Sequence, residues 1–382
     1  MSIKNAPAGT IRGALAYPAF RRLLSALAVS QLGDWLYNLT LVALVYSRTH
    51  SALWAGVTTA ARVVPIVVLG PLGGVLADRF DRRHIMIVSD AARMVLMVLL
   101  AAVAAAHLPI LLAPVIAAMA TAAAAPYLPC VSAITPRLVD DADLPGANAA
   151  RTAVNGLSII AGPALGGLLL LLGSPALAFL LNALTFGLSA LAVMSIRRLT
   201  AFQPARSADR PAGMCRQMAQ GAAVLRSHPQ LVRLVGADIM CSTVYGTQVV
   251  LLLLVSHRVG LGSQGYGYMF AGIGVGGVLG TTLAGRAIRC PHSRYVLAAA
   301  LAVVGLPMPL LALVRWPAAA IFLAGVTGTG AILVEILTET QLQRSLDDEV
   351  FGRVYGIALP ASLGGIVVGS LIAPVLAGTL GG

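Results

Sequence analysis

Long apolar runs separated by short polar connections dominate the chain. A helix that crosses a bilayer needs about 20 consecutive, mostly apolar residues. Runs of that kind fall at 23–46, 52–76, 85–106, 110–134, 148–172, 175–196, 231–256, 264–287, 295–314, 317–341 and 354–378. The pattern predicts an all-α polytopic membrane protein with eleven transmembrane helices. One connection, 197–230, is long and polar and carries Pro204, Pro211 and Gly213. The expected organisation is therefore an N-terminal segment (1–22), a six-helix bundle (23–196), a linker (197–230) and a five-helix bundle (231–382).

Composition agrees with the pattern. Of 382 residues, 58% are hydrophobic and 10% charged, against roughly 25% charged in soluble domains. The mean hydropathy is +0.88. The 40 glycines suit helices that must approach closely where lipid supplies no hydrophobic drive. The formal net charge of +12 does not form a nucleic-acid footprint, because the basic residues are spread over short loops. Alternate loops hold Lys4, Arg12, Arg21 and Arg22; Arg79, Arg82 and Arg83; Arg137 and Arg151; the arginines from Arg197 to Arg233; Arg286, Arg289 and Arg294; and Arg344 and Arg353. The opposite loops hold Arg48, Arg258 and Arg315. Positive loops stay in the cytoplasm, so the expected N-terminus, and the linker, are cytoplasmic. The arginine-rich, alanine-rich composition suggests a bacterial cytoplasmic membrane. Cys130, Cys215, Cys241 and Cys290 share no metal-ligand spacing, and no phosphate-binding glycine loop is present. No enzyme chemistry, cofactor or metal is expected.

The halves repeat weakly. Arg22-Leu23-Leu24 opens the first span and Arg233-Leu234-Val235 the seventh, a shift of 211 that also pairs Ser47-Arg48 with His257-Arg258 and brings Gly73 near Gly285. Such a parallel repeat is what two six-helix halves would leave. By that logic a twelfth span is missing and the C-terminus is extracytoplasmic.

Between the second and third spans the chain reads Gly74-Val75-Leu76-Ala77-Asp78-Arg79-Phe80-Asp81-Arg82-Arg83. This resembles the signature of the major facilitator superfamily, Gly-x-Leu-Ala-Asp-Arg-x-Gly-Arg-Lys, with Asp81 where glycine is usual, and is similar to hairpins in its bacterial branch of macrolide and enterobactin exporters. The resemblance covers the whole chain. It implies two helical bundles around a midplane site and a cytoplasmic gate of Gly74, Asp78, Arg79, Arg82 and Arg83. In that gate Asp78 faces a helix N-terminus of the other half, an arrangement favoured by about 0.3–1 kcal/mol. Asp90 and Arg93, at i and i+3 near the start of the third span, are expected to join it. In the fifth span Gly162-Pro163-Ala164-Leu165-Gly166-Gly167 resembles the core of the drug exporters' antiporter motif, with Ser158 and Ala149 where upstream glycines would stand. Gly70-Pro71-Leu72-Gly73-Gly74 has the same grammar.

Asp34 is the sharpest single residue. It lies about eleven residues into the first span, near mid-membrane at 1.5 Å per residue. Gln31, Asp34 and Asn38 share one helical face. An unpaired charge at that depth costs about 2.5–3.5 kcal/mol, so Asp34 must pair, face a cavity or take a proton. Three roles stay open: a proton site, an ion pair with Arg62, or direct substrate contact. Tyr245 occupies the matching position of the second half, with Gln248 one turn on. Together with Gln31, Asn38 and Glu335 they are the substrate-cavity candidates. The sparse polar lining suits a hydrophobic or amphipathic compound better than a sugar.

The expected function is proton-driven export of a drug, siderophore or metabolite by a monomer, with the proton gradient in place of any cofactor. A lipid or lysophospholipid flippase of the same fold, or a truncated inactive homologue, are the alternatives. The expected partners are the substrate, protons and lipid, not nucleic acid.

Overall fold

The computed structural model describes residues 9–171, 174–196, 202, 222–287, 293–346 and 348–380. Among them there is no strand. The helices are α1 (Ile11–Ala14), α2 (Pro18–Thr49), α3 (Ala52–Arg79), α4 (Arg82–Ala105), α5 (Leu112–Ala124), α6 (Tyr127–Ile134), α7 (Leu144–Leu171) and α8 (Pro175–Ser195). After the linker come α9 (Pro229–Arg258), α10 (Gly262–Ala287), α11 (Ser293–Gly305), α12 (Pro307–Leu313), α13 (Pro317–Ser345) and α14 (Asp348–Leu380).

Every expected span has its counterpart, but the boundaries move. The runs at 110–134 and 295–314 are each broken, at Ala125–Pro126 and at Leu306–Pro307. Proline lacks the amide that an interior turn needs, and its ring crowds the carbonyl four residues earlier. The first span begins at Pro18 and the last at Asp348, beyond the apolar runs, because helices continue past the bilayer core where water solvates their ends. Eight described segments are long and apolar enough to cross a membrane, among them 82–105, 175–195 and 317–342. Helix α2 is not one of them, since Gln31, Asp34 and Asn38 interrupt its apolar character.

The chain divides into two compact units, Met1–Leu44 with Pro65–Arg206, and Val45–Val64 with Ser207–Gly382. The division after Arg206 falls inside the expected linker. The first bundle was expected to hold all of 23–196, yet residues 45–64 group with the second unit. There Gly56 lies against the Ser370 carbonyl, and the Tyr46 and His257 rings meet at 4.8 Å. Helix α3 thus passes from one unit to the other at Val64–Pro65.

In unit 1, Phe20, Leu23, Met86, Tyr127, Cys130, Ile134 and Val193 form part of a buried apolar core. Asp81 ends the turn after α3 by capping α4, its carboxylate accepting from the His84 amide at 3.0 Å. A glycine here could not do this, so the departure from the family signature supplies a helix cap. In unit 2 the helices meet along small-residue seams. Gly276 of α10 packs directly against the Gly325 carbonyl of α13, and Gly328 against the Ile273 carbonyl. Thr329 Oγ1 donates to the Gly276 carbonyl at 3.0 Å across this seam. Gly246 of α9 and Gly369 of α14 meet the opposing backbone in the same way. A side chain larger than hydrogen would push these backbones apart, which is the reason for glycine at such positions.

Candidate functional site

The polar stripe of α2 leads to a buried charge cluster in unit 1. Arg93 of α4 bonds Asp90, one turn earlier, with Nη2 2.5 Å from Oδ1. Its Nη1 lies 3.6 Å from Asp34 Oδ2. The Arg93 guanidinium is also held between two rings, 4.2 Å from the Phe186 centroid and 4.8 Å from that of Tyr127. Ser189 of α8 donates to Asp90 Oδ2 at 2.7 Å and shares a 3.0 Å hydrogen bond with the Tyr127 hydroxyl. Side-chain exposure is 0% for Asp90, 4% for Arg93 and 39% for Asp34. The arginine is thus a hub whose inner carboxylate is sealed and whose outer carboxylate is open.

Local sequence explains the convergence. Gly33, the residue before Asp34, comes directly against the Asn182 and Thr185 side chains of α8, so α2 approaches as far as the cluster requires. Two residues beyond, Trp35 lies against Gly162 of α7. Gly162 and Gly166 of the antiporter-like motif therefore seat α7 on α2 beside Asp34. The side chains of Pro163 and Gly167 lie outside the described residues. Gln31 and Asn38 flank Asp34, half-buried, and the amide oxygens of both lack a hydrogen-bond partner among the described residues.

Asp90 and Arg93 were expected at the cytoplasmic gate with the 74–83 turn. The structure instead seats them in the interior, two turns and more into α4, on Asp34. Sequence pattern could not supply Phe186, Ser189 or Tyr127, which only the packing of α6 and α8 brings in.

The turn residues do other work. Arg82 is 2% exposed, and its Nε donates back to the Ala77 carbonyl at 3.0 Å. Arg83 Nη2 donates to the Met194 carbonyl at 2.5 Å, and Arg22 Nη1 to the Ser195 carbonyl at 2.5 Å. These carbonyls end α8, where cations are favoured by the helix dipole. Arg79 is exposed. A Cβ on Gly74 would meet open space, whereas one on Gly73 would strike the Ala125 carbonyl. The Asp78 side chain lies outside the described residues. At the same end of unit 1, the Tyr17 hydroxyl donates to Asp140 at 2.8 Å and to Asp143 at 3.0 Å, and the Gly9 amide donates to Asp143 at 3.0 Å. The Asp140 carboxylate pushes the Tyr17 pKa up to about 12.

In unit 2, Arg62 of α3 lies within electrostatic reach of the Tyr245 and Tyr266 hydroxyls. Gln248, 5% exposed, donates Nε2 to Thr327 Oγ1 at 2.5 Å and ties α9 to α13. Asp238 accepts from Ser362. Glu335 is exposed on α13, one turn before Glu339. No His, Cys, Asp and Glu group able to hold a metal ion occurs among the described residues.

An all-helical chain with eight described segments able to cross a membrane and a charged cluster in one of its units is a polytopic membrane protein. The Major Facilitator Superfamily profile matches residues 23–370, and the chain belongs to that family. It is 30% identical to the uncharacterised MFS-type transporter y4rN of Sinorhizobium fredii, over 94% of this chain and 88% of that one. It is 25% identical to the multidrug efflux pump Tap of Mycobacterium bovis, over 95% and 88%. The solved nucleoside transporter NupG superposes with a TM-score of 0.69 over 94% of this chain and 90% of NupG, at 12% identity. The protein is a multi-pass membrane transporter.

Proposed function

We propose that the chain is a proton-driven exporter of hydrophobic or amphipathic small molecules in a bacterial cytoplasmic membrane. One observation carries the reading: Asp34, Arg93 and Asp90 form a triad of two carboxylates and one guanidinium, with a formal charge of −1. One proton makes it neutral. Neutralising a cluster in a low-dielectric interior changes its energy far more than the same event in water, so proton binding can bias a conformational equilibrium. Asp34 is the open member and exchanges the proton. Asp90 is held by Ser189 and Arg93 and keeps the guanidinium in place.

Alternating access then follows the division of the chain. Each unit moves as a body, and α3 flexes at Pro65, where an interior helical hydrogen bond is missing. The arginines at the starts of α2 and α4, two of which bond the last carbonyls of α8, support a cytoplasmic location for that end, with the N-terminus on the same side. The efflux activity named for Tap supports the outward direction.

The test is Asp34→Asn in proteoliposomes loaded with an amphipathic dye such as ethidium under an imposed pH gradient. Gradient-driven flux is expected to stop while the variant folds and inserts normally. Undiminished pH-driven transport by Asp34→Asn would refute the assignment.

A further inference from the structure

The charge cluster of unit 1 contains two carboxylates, and the groups around them treat the two differently. Asp90 and Arg93 stand three residues apart on α4, and Phe186 and Ser189 three apart on α8, so one turn of each helix faces the other. Arg93 Nη2 donates to Asp90 Oδ1 at 2.5 Å, and Ser189 Oγ donates to Oδ2 at 2.7 Å. Both oxygens of Asp90 therefore already face a donor, and a proton added to either would point hydrogen at hydrogen. A serine hydroxyl carries one hydrogen. Ser189 directs it at Asp90, so in the 3.0 Å bond between Ser189 and Tyr127 the tyrosine is the donor. The hydrogen bonds run one way, from Tyr127 through Ser189 to Asp90. Ser189 is 0% and Tyr127 3% exposed, so bulk water does not reorient them. Asp34, by contrast, meets Arg93 at the longer 3.6 Å and is 39% exposed.

We propose that Ser189 and Tyr127 are positioning residues that hold Asp90 in its ionised form, so that the cluster exchanges one proton rather than two. The proposal rests on the reading of this cluster as the proton-coupling site and adds what fixes its proton count. To take a proton, Asp90 must become a donor. Ser189 would then have to turn its hydrogen away and receive two donors, Asp90 and Tyr127, in a site closed to water. Hydrogen bonds made to the ionised form favour that form, and bonds to a charged acceptor are the strong ones. The Tyr127 hydroxyl acts through Ser189, whereas its ring faces the Arg93 guanidinium at 4.8 Å. The charged and titratable groups around Asp90 are Asp34 from α2, Arg93 from α4 and Tyr127 from α6, with Cys130 one turn further along α6. Helices α5 and α8, which also pack on α4, carry no titratable side chain. With Asp90 held ionised, the triad alternates between a formal charge of −1 and neutrality. A second proton would leave the buried guanidinium uncompensated, which is costly in a low-dielectric interior.

The test is infrared spectroscopy of the purified full-length chain in detergent, which reads the C=O stretch of a protonated carboxyl group. Spectra are compared between about pH 8 and about pH 5, above the range in which exposed carboxylates titrate. The Asp90 band is the part of the signal that Asp90→Asn removes. In Asp34→Asn this band is expected to be absent at the lower pH. Adding Tyr127→Phe or Ser189→Ala, each the loss of one oxygen atom, is expected to make it appear. A role in packing alone would lower the unfolding temperature of these variants without producing an Asp90 band. An Asp90 band already present in Asp34→Asn, or its absence from both added variants when folded, overturns the proposal. Should one variant fail to fold, the other decides; failure of both would make the hydroxyls structural and overturn the proposal as well. The Asp34 band separates this from the export reading. A parent chain without an Asp34-dependent band overturns proton coupling at Asp34, and the hold on Asp90 is then decided by its own band. A parent with the Asp34 band, joined to an Asp90 band in Asp34→Asn, overturns the hold alone.

Discussion

Arg93→Met tests the charge cluster most directly. The substitution keeps a flexible unbranched side chain, shorter than arginine, and removes the charge. It breaks the 2.5 Å contact to Asp90 and the 3.6 Å contact to Asp34, and vacates the space between the Phe186 and Tyr127 rings. Asp90, with 0% side-chain exposure, is left with Ser189 as its remaining hydrogen-bond partner. Removing one member of a buried pair costs about 3–5 kcal/mol, because the surviving charge stays uncompensated. Losing two ring contacts adds about 1–2 kcal/mol. The Asp90→Asn, Arg93→Met double variant leaves no buried charge of either sign at these two positions and should recover at least half of the loss. Asp34→Asn, acting at a longer and more open contact, should cost about 1 kcal/mol while affecting transport most. The assay is thermal unfolding in one detergent of the parent, Asp90→Asn, Arg93→Met and the double variant, read as a double-mutant cycle, with Asp34→Asn measured alongside. If Arg93→Met unfolds within a degree of the parent, or if the double variant loses as much as the two single variants summed, the buried-pair reasoning fails.

Other consequences are more local. Gly73→Ala should destabilise by about 1–3 kcal/mol, since its Cβ meets the Ala125 backbone, which cannot swing aside. Gly74→Ala, facing open space, should stay within about 0.5 kcal/mol, and thermal unfolding of the pair distinguishes them. Arg83→Ala removes the donor to the Met194 carbonyl and should loosen the end of α8 by about 1–2 kcal/mol. Faster hydrogen exchange at 190–195, with the middle of the helix unchanged, is the expected signature. The Tyr17 contact gives a pH dependence. Its folded pKa, near 12, exceeds the ordinary value of 10.0, so its contribution is complete below pH 10 and is lost as pH rises towards 12. Proteolysis near Gly9 should be slow at neutral pH and accelerate in that window, and Tyr17→Phe should cleave readily at every pH.

The helical, membrane-crossing character of this chain follows from its sequence alone. Apolar runs of bilayer length can satisfy their backbone only as helices, and the 74–83 turn marks the family. Asp34 stood out because a carboxylate deep in an apolar run is costly wherever the rest of the chain lies. Its contact with Arg93 was not legible in the same way. Asp90 and Arg93 sit near the start of their own run, and one-dimensional spacing grouped them with the adjacent turn. Which helices touch depends on where glycine permits close approach. Gly33 against α8 and Gly162 against Trp35 are facts of three-dimensional packing between segments more than a hundred residues apart. The assignment of 45–64 to the second unit has the same origin. Hydrophobicity tells each helix that it must cross the bilayer, whereas its neighbours are chosen by shape and by buried polar groups seeking partners. Those choices exist only once the helices have packed.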